Sequence, residues 1–147
     1  MALLIRDARR DDLARIEELE RQCFSVPWTL AQLESQLPDE MHVFLAAEED
    51  GKVLGYVGMM TVLDEGYISN VAVAPEARRR GVGTKLIEEL LRRAGERDLS
   101  FVTLEVREHN EPAIGLYAAQ GFAPVGLRKN YYDAPKENAL LMTCTLK

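Results

Sequence analysis

YISNVAVAPEARRRGVGTKLIEELLRR, residues 67–93, is the stretch whose reading decides the fold of this chain. Its first half clusters apolar and β-branched residues at Ile68, Val71 and Val73, and Pro75 stops the extended run. After Gly83 the apolar residues fall at Leu86, Ile87, Leu90, Leu91 and Ala94, which is helical spacing. The segment therefore reads as a buried strand, a basic glycine-containing turn and an amphipathic helix. Within Arg78-Arg79-Arg80-Gly81-Val82-Gly83-Thr84, missing β-carbons let a ligand approach backbone N–H groups where the helix begins. Such a helix start attracts anions.

A nucleoside-triphosphate P-loop needs a glycine five residues before a Gly-Lys-Ser/Thr end, but position 78 is Arg and the order is Gly83-Thr84-Lys85. A dinucleotide fingerprint needs a third glycine three residues after the second, where this chain has Leu86. Both fail. The remaining R-x-x-G-x-G, Arg78 to Gly83, resembles the pyrophosphate-binding turn of the GNAT acetyltransferase superfamily, in which successive amides hold the diphosphate of coenzyme A. Taken alone, the turn reads equally as a solvated basic helix start. Two further stretches extend the resemblance. TLEVREHNEPAIGLYAAQGF, residues 103–122, is similar to the end of the same superfamily's core. Arg128-Lys129-Asn130-Tyr131-Tyr132 and Cys23-Phe24-Ser25-Val26-Pro27-Trp28-Thr29 resemble, more narrowly, the RimI-type protein N-terminal acetyltransferases.

A chain of 147 residues, 47% apolar, suits one well-filled core, so a single domain over residues 1–147 is expected. Eighteen basic against 24 acidic side chains leave a net charge of −6, which argues against general nucleic-acid or membrane-surface affinity and suits cationic acceptors such as amines. Cys23 and Cys144 show neither metal-ligand spacing nor a disulfide framework. With no leader and no membrane-length apolar run, a cytoplasmic home is expected.

Taken in order, Leu3-Leu4-Ile5 reads as a strand and Asp11 as the cap of a helix with Leu13, Ile16 and Leu19 on one face. Glu17 and Arg21 pair on its wet side. Thr29 and Gln32 form a capping box for a second helix through Leu30, Leu33 and Leu37, ended by Pro38. Val43 to Ala47 and Val53 to Met60 form a hairpin closed by Glu49-Asp50-Gly51-Lys52, and a third strand starts at Gly66. A helix of roughly 20 Å then links the strand ending at Val73 to the strand Phe101 to Val106, which makes those two parallel. Asn110 caps a fourth helix ended by Gly121, and Ala123 to Tyr131 with Ala139 to Leu146 close the chain as a hairpin. The expected fold is α/β (α+β): a mixed, mostly antiparallel sheet of about seven strands with one parallel pair, and about four helices.

Ligands in open α/β sheets bind at the carboxyl ends of parallel strands, here at Val71-Ala72-Val73 and Glu105. The resemblance implies acetyl transfer from acetyl-CoA, with no metal, to an amine. A peptide α-amine has a pKa near 8, so only about a tenth is able to attack at neutral pH and a base is required. Glu105, on an otherwise apolar strand, matches the family's catalytic glutamate, and partial burial is expected to raise its pKa. Tyr117 matches the family tyrosine that protonates the departing thiolate. A backbone N–H of Val71 to Val73 is the natural oxyanion donor, most of all if the strand splays. By the same resemblance the cofactor lies against Arg79, Arg80, Gly81, Val82, Gly83, Thr84 and Asn110. Trp28 is expected at the substrate entrance, with at most one of Tyr131 and Tyr132 beside it, since neighbours on a strand face opposite ways. The resemblance to the family's peptide slot assigns that role to Tyr132.

The RimI-type match points to the N-terminal alanine of a small-subunit ribosomal protein as acceptor. One departure is Glu137-Asn138-Ala139, where relatives often carry Glu-Asp-Ala. A lysine or small-molecule amine acetyltransferase and a non-catalytic acyl-CoA-binding module stay open as alternatives; the second would lack the proton-transfer pair. Cys23 and Cys144, set in apolar helix and strand patterns, are read as buried spectators and His109 as a surface histidine, while His42 opens a strand with no partner that the sequence names.

Overall fold

A computed structural model describes residues 2–147. The strands are β1 (Leu4–Asp7), β2 (His42–Glu49), β3 (Lys52–Val62), β4 (Glu65–Val73), β5 (Phe101–Arg107), β6 (Ala123–Asp133) and β7 (Lys136–Thr145). The helices are α1 (Leu13–Cys23), α2 (Leu30–Glu34), α3 (Val82–Glu96) and α4 (Glu111–Ala119), with short 3₁₀ turns at Arg10–Asp12 and Pro75–Ala77. Hydrogen bonds join the strands into one sheet in the order β1-β2-β3-β4-β5-β7-β6. Every neighbouring pair is antiparallel except β4 and β5, the parallel pair expected from the crossover helix.

The elements form for local reasons. Asp50 (φ 53°) and Gly51 (φ 78°) are both left-handed, the geometry of a tight hairpin turn, and they close β2 on β3. Leu86, Ile87, Leu90 and Ala94 of α3 are fully buried, one apolar stripe laid on the sheet. Thr29 and Gln32 form the expected reciprocal cap, and Glu17 meets Arg21 at 3.3 Å. Two boundaries differ. Asp11 does not cap α1; it lies in the 3₁₀ turn, and the anchored carboxylate is Asp12, which accepts from the Arg9 amide and from Arg6 at 2.8 Å. The second helix stops at Glu34, before Pro38, and looser turns carry the chain through Leu37.

Strand alternation assigns the helices to faces. A β-carbon on Gly55 would meet Val82 and Leu86 of α3, so Gly55 faces α3 and its neighbour Tyr56 faces the other way. Asn70, opposite Gly58 and so in phase with Tyr56, meets Glu20 of α1. Thus α1 and α2 cover one face; α3 covers the other, with α4 beside it.

Candidate active site

Pairing of β4 with β5 covers only Glu65 to Tyr67 against Phe101 to Thr103; beyond it the two strands part. The gap opens a cleft of about 770 Å³. Its walls come from β4, β5, the start of α4, the α1–α2 loop and the β6–β7 hairpin. Ser25 Oγ donates to the Ala134 carbonyl, which ties the α1–α2 loop to the hairpin across the cleft mouth.

Ala74 donates its N–H to Leu54 of β3 at 2.7 Å. Alternation puts the Ala72 N–H on that same side and turns the N–H groups of Val71 and Val73 into the gap. Of the three strand residues expected to meet a cofactor, Ala72 therefore spends its amide on the sheet. Among the described residues, none of the amides from Arg79 to Thr84 donates a main-chain hydrogen bond. Arg79 (φ 66°) and Gly81 (φ 80°) are left-handed, and that winding ends the loop ahead of α3, whose first-turn amides have no intrahelical acceptor. The Arg80 guanidinium is taken by Glu49 at 2.6 Å, so only its main chain is on offer. Gly83 is buried, and a β-carbon there would lie 2.9 Å from Leu116 of α4. Its small size serves the contact of α3 with α4, a packing role that the glycine spacing alone does not reveal.

Glu105 lines the cleft with its side chain 7% exposed. Tyr67 donates its hydroxyl to Oε1. Arg128 Nε stands 3.1 Å from Oε2, but off the direction a hydrogen bond requires, and Oε2 has no hydrogen-bond partner among the described residues. Tyr117, buried at the base of α4, packs edge-to-face on Phe122 and also lines the cleft. Burial pushes its phenol well above the ordinary range. Asn110 caps α4 through Ala113 at 3.3 Å and sits on the same wall.

Trp28, Tyr131 and Tyr132 all line the cleft. The expectation that only one tyrosine of the pair faces it is wrong. The β6 register shifts between Arg128 and Tyr132, with Asn130 at φ 55°, and this break in alternation brings both rings to one side. Their centroids lie 5.0 Å apart, and the Arg107 guanidinium stacks 4.3 Å above Tyr132. Asn138 holds the irregularity by accepting the Asn130 N–H at 2.8 Å.

Residues that sequence spacing did not single out complete the site. Tyr67 and Asn70 come from β4, Arg128 from β6, and Glu20 from the buried face of α1. Cys23 is not a buried spectator: it lines the cleft, with Sγ 3.5 Å from the Val73 carbonyl and 3.5 Å from Arg78. Cys144 is buried, as expected. His109 is exposed and held by Glu137, and His42 pairs with Asp39 at 2.9 Å. A second hollow of about 230 Å³ beside the end of α3 is walled by Arg93 and Arg97, whose guanidinium groups are already engaged by Asp7 and by loop carbonyls.

Residues 13–122 match the model of the acetyltransferase (GNAT) family. A [ribosomal protein bS18]-alanine N-acetyltransferase from Haemophilus influenzae is 36% identical over 138 residues, covering 92% of this chain and 93% of that protein. The crystal structure of the ribosomal-protein-S18-alanine N-acetyltransferase from Escherichia coli superposes with a TM-score of 0.91 at 29% identity, over 99% of this chain and 95% of that one. Arabidopsis thaliana NAA60, solved with acetyl-CoA, shares the fold at a TM-score of 0.89 and 23% identity, over 99% of this chain and 100% of that one. With the splayed parallel strands, the free amides ahead of α3 and a family match over most of its length, the chain belongs to the GNAT acetyltransferase family.

Proposed function

We propose that this chain transfers the acetyl group of acetyl-CoA directly to the N-terminal α-amine of a protein, with the N-terminal alanine of a small-subunit ribosomal protein as acceptor. One observation carries the reading: Glu105 Oε2 is a buried carboxylate oxygen in the cleft wall with no hydrogen bond among the described residues, set to receive one. A buried acceptor left open costs about 1–3 kcal/mol, which a bound donor recovers. The names of the relatives support the acceptor class, and a cytoplasmic setting accords with it.

Acetyl-CoA fits the unpaired main chain. The amides from Arg79 to Thr84 would hold its diphosphate, the N–H groups of Val71 and Val73 would meet the thioester end, and Asn110 would flank it. When bound, it supplies an acetyl group activated by a thiol leaving group. Tyr67 fixes Oε1 of Glu105 and so leaves Oε2 to take the amine proton, directly or through a water. Tyr117, kept protonated by its burial, is the donor for the departing thiolate. Trp28 and Tyr132 shape the acceptor slot. The asparagine at position 138 acts on the slot indirectly, through the β6 irregularity.

The test is mass spectrometry of an acetyl-CoA reaction with Ala-, Ser- and Met-initiated peptides carrying internal lysines, each with a free or a blocked N-terminus. Acetylation confined to the free α-amine, fastest on Ala, is the expected result. Acetylation of blocked peptides at lysine would assign the site to side-chain amines, and no transfer at all would leave a binding module.

A further inference from the structure

Glu20 is completely buried, and no cation forms a salt bridge with it among the described residues. Its Oε1 accepts the Trp28 N–H at 2.7 Å and its Oε2 accepts from Asn70 Nδ2 at 2.6 Å. With Nδ2 turned toward Glu20, the planar carboxamide turns its Oδ1 the other way. Asn70 lines the cleft, and its Oδ1 makes no hydrogen bond among the described residues. The placement depends on the β4 bulge. Gly58 opposes Asn70 while Met59 opposes Ile68, so Ser69 is the extra residue. That insertion breaks the two-residue period and puts Asn70 on the same face as Tyr67, the residue that holds Glu105. A regular strand would turn Asn70 away from Tyr67. A bulge and a lone buried acid are both costly, and together they aim one amide oxygen into the cleft.

We propose that Asn70 sets the specificity of this site for a primary amine, its Oδ1 receiving the amine hydrogen that survives the reaction, with Glu20 as the positioning residue that fixes the amide. The inference rests on the amine-acetylating reading above and names a determinant within it. A neutral primary amine carries two N–H bonds. As its nitrogen bonds to the acetyl carbon and the carbon–sulfur bond breaks, one hydrogen leaves as a proton to Glu105 and the thiolate gains a proton from Tyr117. The second hydrogen stays on the product amide. In a cleft walled by aromatic rings it needs an acceptor, and Asn70 Oδ1 supplies one. An N-methylated amine has only the hydrogen that Glu105 removes and leaves Oδ1 unmatched.

The experiment compares kcat/KM on an Ala-initiated peptide and on its N-methyl-Ala counterpart, with the KM for acetyl-CoA measured alongside. The wild type is expected to prefer the primary amine strongly. Asn70→Ala lowers kcat/KM on the primary amine about tenfold, spares the methylated peptide, and so collapses the ratio while the acetyl-CoA KM stays within twofold. Glu20→Gln has the same direction, because an amide nitrogen at position 20 favours Asn70 turned over, with its donor in the cleft. Asn70→Ala is a half-buried cleft position, so it tests the idea even if Glu20→Gln does not fold; circular dichroism checks both. An unchanged ratio in Asn70→Ala, or equal losses on both peptides, overturns the inference alone. A wild type that acetylates neither peptide overturns the amine reading itself.

Discussion

Replacing Glu20 by Gln removes an ionisable group that folding hides, and the effect on stability has a calculable sign. Burial pushes this carboxyl up from its ordinary 4.5 to about 7, against the Trp28 N–H, which favours the charged form. The folded state therefore holds the proton more tightly than the unfolded chain. Its favourable contribution is complete below pH 4.5 and is lost as pH rises through about 7, where the buried group must ionise. At about 1.4 kcal/mol per pH unit of separation, the ceiling is about 3 kcal/mol, of which about 2–3 kcal/mol falls between pH 5 and 8. Urea unfolding of both proteins at several pH values in that range measures it. The wild type should lose that amount relative to Glu20→Gln as pH rises. Curves that stay parallel, offset by a constant, would refute the assignment of a raised carboxyl to this position.

Glu105→Gln lowers turnover by about 10² while acetyl-CoA affinity holds, because only the proton-accepting oxygen is lost; undiminished turnover in steady-state assays would remove the mechanism. Tyr117→Phe deletes the hydroxyl of a buried, cleft-lining residue. It lowers kcat by a similar factor with little change in Tm, and a large fall in Tm with unchanged kcat would make the residue a packing element only. Gly83→Val forces a side chain into Leu116 and costs about 1–3 kcal/mol in denaturant unfolding without any nucleotide present. Gly81→Val meets no neighbour, so any stability it loses comes from the left-handed backbone at φ 80°.

The α3 stripe from Leu86 to Ala94 and the β2–β3 turn at Asp50-Gly51 were legible because periodicity and turn chemistry act over a few neighbouring residues. Glu105 was expected at a strand's carboxyl end and Tyr117 was matched through the family resemblance, and both line one cleft. What stayed hidden arises from broken alternation. One residue too many in β4 and a register shift in β6 leave no mark in composition, yet they put Asn70 beside Tyr67's face and both Tyr131 and Tyr132 in the cleft. Gly83 shows the reverse: its spacing suggested a ligand, while its tight neighbour is Leu116.

By itself the sequence determined the element order, the parallel crossover and the family, since each rests on spacing between residues near one another in the chain. Only the tertiary structure decided which oxygen of Glu105 is left open, which β4 amides face the gap, and that a carboxylate on α1 grips an amide on β4. Those are contacts between residues as far apart as Glu20 and Asn70, formed when separate strands and helices close on one another, and no local pattern encodes the distance across them.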